Sequence, residues 1–422
     1  MKIISYFSFI LFSIFYLTTA STIALPSAST LRWVGSFLLV GCVLIEMSIS
    51  FKKNTLSIPN CFIYLFVALI PTLLGIAGEA TFYSYGRIVS FFLIVWGLLL
   101  FFNMKSISTK DLVCFFELYT LFAGIMMVLS VTSGHMLNDR FSGIYANPNQ
   151  LSCIAVFTFI ASAGLFFALK GKARRLLYGV FALLAAYCVL QTGSRMGAAS
   201  LLLIIFIIPF ILGKDNTVQT RIKQISLILF VGAIVLFILD RFEIVGLQRL
   251  LGTFDSNVES SLGASRGDTW SDVYNIFSKK PLLGWGYGQV NYKVFEAKDT
   301  TYNWGIHSSY FSIICEMGIV GSLLFLGFFL SYFSCVRKLY KKANLPDTST
   351  QLFKFLVLIC FAMFLNAYSE SYLFSMGNPM SVGFWLPFIM LYALPKKYIE
   401  AGSDSTTDKP VSTLSKPYFR KR

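Results

Sequence analysis

The chain has 422 residues, of which 56% are hydrophobic and only 13% charged. A soluble domain is about 25% charged, so a surface this poor in charge cannot be solvated, and the surplus apolar area must face lipid. The net charge of +15 would suit nucleic acid, but the basic residues stand in short clusters between apolar runs, which is a topology signal, and nucleic acid is excluded as a partner.

A hydrocarbon core about 30 Å thick takes about 20 helical residues to cross. Apolar runs of that order lie near 3–25, 32–51, 59–78, 86–102, 112–133, 150–169, 175–191, 197–212, 225–240, 308–330, 352–372 and 380–394. They predict an all-α polytopic membrane protein with about twelve transmembrane helices. The first run follows Lys2 and is read as a retained span, because it is longer than the apolar core of a signal peptide. Residues 1–395 form the transmembrane domain, and 396–422, polar and basic, are expected to be a disordered cytoplasmic tail.

Lys and Arg sort by side. One face receives Lys2, Lys52, Lys53, the cluster from Lys170 to Arg175, the cluster from Arg337 to Lys342 and the basic tail. The short loops opposite receive only Arg32, Arg87, Arg140 and Arg195. The positive-inside rule then puts both termini in the cytoplasm and the long loop at about 241–307 outside. No internal repeat is visible, whereas a transporter built from matching halves would often show one.

The outward-facing arginines break the charge rule and need a reason. Arg140 opens Arg-Phe-Ser-Gly-Ile-Tyr-Ala-Asn-Pro-Asn149, where Asn-Pro-Asn reads as a turn feeding a helix N-cap. Arg195 lies in Gln191-Thr-Gly-Ser-Arg-Met-Gly197, a short turn near headgroup depth. An ionisable group there faces a water-filled cavity or a ligand, or it snorkels as an anchor.

In the long loop, Ser265 and Asp268 have capping-box spacing. Trp270, Val273, Tyr274 and Phe277 make an apolar stripe on a short amphipathic helix that Pro281 stops. Arg266 sits in its first turn, where the helix dipole favours an anion. A bound phosphate would resolve that conflict; pairing with Asp268 or Asp272 is the alternative. His307 stands where the next span begins. The helix N-terminus and low dielectric there favour a neutral imidazole, as a general base requires, although a lone histidine is more often structural. Glu46 and Glu370 are read as acids within the second and eleventh spans. The eight cysteines lie within or at the ends of apolar runs without any CxxC pair. No metal site is expected, and no cofactor.

Three segments together resemble the bacterial O-antigen polymerase and O-antigen ligase (Wzy/WaaL) superfamily. They are Thr192-Gly-Ser-Arg195; Arg266-Gly-Asp-Thr-Trp270 with Pro281-Leu-Leu-Gly-Trp-Gly286; and His307-Ser-Ser-Tyr310 with Glu316-Met-Gly-Ile-Val-Gly321. The stretch from Arg140 to Asn149 is similar to the family's approach to its central spans. Members often have Asn where this chain has Ser308. The resemblance implies a metal-independent, GT-C-like glycosyltransferase of the bacterial inner membrane. Its donor would be an oligosaccharide linked to undecaprenyl diphosphate, with a chain-length regulator and a flippase as pathway partners. On this reading His307, Arg266 and Arg195 are catalytic, and Arg140, Arg195, Arg266, Trp270 and Asn149 bind the diphosphate and glycan. The first expectation is a polymerase of repeat units, as for O-antigen or capsule. The alternative is a ligase acting on the lipid A core. A transporter or flippase for lipid-linked sugar, and a membrane scaffold, are the readings from other classes.

Overall fold

The computed structural model describes residues 2–19, 21, 28–49, 59–75, 81–137, 140–212, 273–290, 307–375 and 378–407. The helices are α1 (Lys2–Thr18), α2 (Ala28–Ile49), α3 (Phe62–Gly75), α4 (Thr81–Asn103), α5 (Thr109–Ser133), α6 (Pro148–Ala168), α7 (Lys172–Gln191), α8 (Arg195–Leu212), α9 (Ser309–Lys342), α10 (Asp347–Asn366) and α11 (Met380–Thr407). Eight of the described helices are long and apolar enough to cross a membrane. The sequence-predicted run at 225–240 lies outside the described residues. Among the described residues one small sheet breaks the helical pattern, an antiparallel pair of β1 (Met136–Leu137) and β2 (Arg140–Phe141).

Helices are the expected solution, since a backbone in lipid must satisfy its own N–H and C=O groups. Among the eight candidate spans α6 is the most enclosed, packed by α7 on one side and α10 on another. Small residues permit this: a Cβ at Gly164 would sit 2.8 Å from Phe355, so the α6 and α10 backbones approach closely. The same core joins α9 to α11 through aromatic rings, with Tyr332 stacked on Phe388 at 4.0 Å between centroids.

The bundle has two chemically different ends. At one, Lys2 bonds Asp111 at 3.2 Å, Arg174 pairs with Glu117, and Glu46 accepts from the Ser106 backbone at 3.1 Å. Lys397 donates to the Met104 carbonyl at 2.7 Å. The other end carries the β1–β2 pair and the starts of α6, α8 and α9. Chain direction alternates between the two ends, as a multi-pass protein requires.

Several helix limits differ from the apolar runs. Helix α9 extends to Lys342, because its last turns carry Arg and Lys that reach water beyond the apolar core. Helix α11 continues to Thr407, with Lys396 and Lys397 tied to the end of α4. Helix α10 ends at Asn366, so Glu370 lies in the turn that follows and is not within a helical span. That turn is held by α9, with Ser309 Oγ donating to the Glu370 carbonyl at 2.7 Å.

Helix α9 is broken at Gly318, whose φ of 64° and ψ of −173° are not helical. A break frees backbone groups that a neighbour must satisfy. The 281–286 segment does so: Trp285 N donates to Cys315 O at 2.9 Å and Gly286 N to Glu316 O at 3.0 Å. In return, Ile319 N donates to Pro281 O at 2.8 Å. A Cβ on Gly318 would lie 2.3 Å from Leu282 O, and one on Gly284 2.5 Å from Glu316 O. Both glycines have positive φ, so side-chain volume and backbone angle each demand glycine there. The two glycine-bearing motifs of the sequence are therefore halves of one interlock.

Candidate functional site

The sequence-predicted residues that are described gather at the second end of the bundle. Gly193, at φ 59°, turns the chain between α7 and α8. Ser194 caps α8, accepting from Gly197 N at 3.4 Å through its hydroxyl and from Ala198 N at 2.9 Å through its carbonyl. Arg195 is thus the first residue of α8. It is exposed and bonds no partner among the described residues. Its charge adds to the partial positive charge of the helix N-terminus. Gly197 brings α8 against α6, since a Cβ there would meet Ser152 Oγ at 1.9 Å.

Asn147 caps α6, accepting from Asn149 N at 2.8 Å, with Pro148 as the first helical residue. This agrees with the turn read from Asn-Pro-Asn. Arg140, on β2, joins this cap to the Arg195 turn. Its Nε donates to Thr192 O at 3.0 Å and its Nη2 to Asn149 Oδ1 at 2.7 Å. Arg140, Asn149 and the Thr192–Arg195 turn form one unit although 55 positions separate Arg140 from Arg195.

His307 is half-buried and directly precedes Ser308, the N-cap of α9. Ser308 N donates to Ser371 Oγ at 3.1 Å and Ser309 N to Ala367 O at 2.8 Å. Ala367 follows Asn366, whose side chain donates to Ser200 Oγ on α8 at 2.9 Å and accepts from Cys153 Sγ on α6 at 3.7 Å. The end of α10 therefore ties the His307 turn to the starts of α6 and α8. The hydroxyl of Ser308 is buried and makes no hydrogen bond among the described residues.

Arg266 and Trp270, with Ser265, Asp268 and Asp272, lie outside the described residues. The amphipathic helix is described over 273–279. Its buried face is Val273, Ile276 and Phe277, whereas Tyr274 is 69% exposed and so does not belong to the predicted apolar stripe. That face packs on Cys315 of α9, and Trp285 Nε1 donates to Ile276 O at 2.7 Å.

A polar cluster that sequence reasoning did not single out sits between the α9 break and α4. Arg87 donates from Nη2 to Ser375 Oγ at 2.6 Å, and its guanidinium lies 5.6 Å from the Tyr287 ring centroid. Gln289 Nε2 donates to Ser84 Oγ at 2.7 Å. The available signal was Arg87 itself, one of the few arginines on the poorly basic side.

Residues 180–326 match the family model described as O-antigen ligase. This match supports membership of the O-antigen ligase and polymerase superfamily. The matched stretch runs from α7 into α9 and spans Arg195, the 281–286 segment, His307 and the Gly318 break. Membership supports a glycan-transferring role in a multi-pass membrane protein and implies a lipid-linked oligosaccharide as substrate. No curated protein matches the chain.

Proposed function

We propose that the protein polymerises lipid-linked oligosaccharide repeat units, of O-antigen or capsule type, at the external face of the bacterial inner membrane. The observation that carries this reading is the gathering of Arg195, Arg140, Asn149 and His307 at one end of the bundle, opposite the end rich in lysine. That end is external by the positive-inside rule.

The donor is an oligosaccharide on undecaprenyl diphosphate. His307 takes the proton of the acceptor hydroxyl, and the acceptor oxygen attacks the anomeric carbon. The bond from that carbon to the diphosphate oxygen breaks, and undecaprenyl diphosphate departs with the electron pair. In-line attack inverts the sugar centre. Arg195 and Arg266 hold the diphosphate, because a guanidinium binds phosphate oxygens through two parallel N–H groups and stays charged. Fixed cations already in place stabilise the developing charge without a metal ion, an effect worth roughly 100- to 1,000-fold per donor. Arg140 reaches the same charge through the Arg195 turn that it holds, and Trp270 offers a face to the glycan.

Purified protein given a synthetic undecaprenyl-diphosphate repeat unit should release undecaprenyl diphosphate and build chains of increasing length, and EDTA should not stop it. Absence of both products from folded protein would overturn the assignment. The description of the matched family favours a second reading, ligation of the glycan to the lipid A core. The two differ in the deletion strain. Loss of a polymerase leaves single repeats on the core, whereas loss of a ligase leaves long chains on the lipid carrier.

A further inference from the structure

We propose that Asn366 is a positioning residue that sets the start of α8, and with it Arg195, against the start of α9 that follows His307. The inference deepens the transferase reading, and its catalytic consequence rests on that reading.

Asn366 ends α10 and is fully buried, at 0% exposure. Its amide offers two N–H donors and an acceptor oxygen, and each is costly to leave unpaired among apolar helices. All are used. Nδ2 donates to Ser200 Oγ on α8 and to Ala362 O of its own helix, both at 2.9 Å, and Oδ1 accepts from Cys153 Sγ on α6 at 3.7 Å. Ser200 lies five residues beyond Arg195, and Cys153 four beyond Asn149. The bonds therefore fall about 6–8 Å along each helix from those residues. The link to α9 is made by the main chain instead. Asn366 O accepts from Ser369 N at 3.0 Å and from Glu370 N at 3.1 Å. The turn so formed presents Ala367 O and Glu370 O to Ser309 N, at 2.8 and 3.2 Å. One residue thus reaches α8 and α6 through its side chain and α9 through its backbone. Leucine has the branched shape of asparagine without its hydrogen bonds, so Asn366→Leu cuts the first link and keeps the second. A misplacement of about 1 Å between catalytic groups costs up to about 100-fold in rate.

Amide hydrogen exchange of the full-length protein in detergent, read by peptide mass spectrometry, tests the link. Asn366→Leu should speed exchange over 195–200 at least tenfold. Residues 308–312, and 109–117 at the basic end, should stay as protected as in the wild type. Ser200→Ala should do the same, and the double variant should exchange no faster than the faster single one, because all three lose one bond. Wild-type protection of 195–200 in either single variant, or multiplying effects in the double, would refute the link. Should Asn366→Leu loosen 109–117 as well, Ser200→Ala decides: faster exchange confined to 195–200 upholds the link, and any other pattern removes it. Per folded protein, both single variants should lose about tenfold in kcat with KM for the donor unchanged. Ser200→Thr, which keeps the acceptor oxygen, should recover the rate. Faster exchange with an unchanged kcat would make Asn366 a structural residue and end the positioning role. Exchange needs no turnover, so a wild-type chain that never transfers glycan loses the function assigned above, yet keeps the link if 195–200 opens in the variants.

Discussion

Cations at the two ends of the bundle are held in different ways. At the basic end Arg174 is paired with Glu117 and Lys2 with Asp111, carboxylate against cation. At the opposite end Arg140 is held by a carbonyl and an amide oxygen, and Arg195 stands exposed on a helix N-terminus. A carboxylate cancels most of the field of the cation it meets. Arg195 meets no carboxylate among the described residues, so its charge stays available to an incoming anion. The first arrangement anchors a helix end, and in the proposed function the second is where the diphosphate binds.

This contrast is tested first at Arg195. Arg195→Ala should lower glycan transfer by about 100-fold or more, the loss expected for one preorganised donor, with insertion and helical content unchanged. Transfer within a factor of a few of wild type would show that this cation has no part in the chemistry. His307→Ala should cost a similar factor, roughly 100- to 10,000-fold for a lost general base, and turnover with a more acidic acceptor alcohol should suffer less. Gly318→Ala tests the scaffold and not the charge. The positive φ and the contact with Leu282 O predict a loss of roughly 3 kcal/mol, seen as a lowered unfolding midpoint in detergent. Arg140→Lys keeps the charge and loses the fork that spans Thr192 and Asn149. A fall of about tenfold in kcat/KM, equal to about 1.4 kcal/mol, is expected, and an equal fall in Asn149→Ala would trace it to the shared bond. The smallest effect belongs to the basic end. Arg174→Ala removes an exposed ion pair worth about 0.2–1 kcal/mol, and transfer rates should not change.

Much of this was readable beforehand. The Asn147 cap followed from Asn-Pro-Asn, and the placing of Arg195 between two spans followed from the interruption of apolar residues. Both are local signals, set by a handful of neighbouring positions. The run set at 352–372 overshoots the end of α10 because it bridges the polar stretch Ser369-Glu370-Ser371 that follows Ala367 and Tyr368. Its stopping point depends on Ser309, which takes the Glu370 and Ala367 carbonyls out of the helical pattern. Tyr274 was placed on the buried stripe by spacing alone. The buried face was decided by where Cys315 lies, on another helix. Arg87 was visible as a charge on the wrong side, but its partners are about 200 or more positions away in the sequence, and no pattern of spacing connects them.

Apolar run length and the side taken by lysine and arginine were enough to identify a helical membrane protein, because lipid forbids unpaired backbone and the charge bias needs no packing to be read. The order of its motifs pointed to the superfamily. Their meeting place was beyond the reach of any linear pattern. The unit of Arg140, Asn149 and Thr192, the tie from His307 to α6 and α8 through Asn366, and the exchange of backbone bonds at Gly318 all join residues far apart in the chain. Such contacts exist only once helices have packed, since each depends on a distance of a few ångströms that hydropathy does not encode.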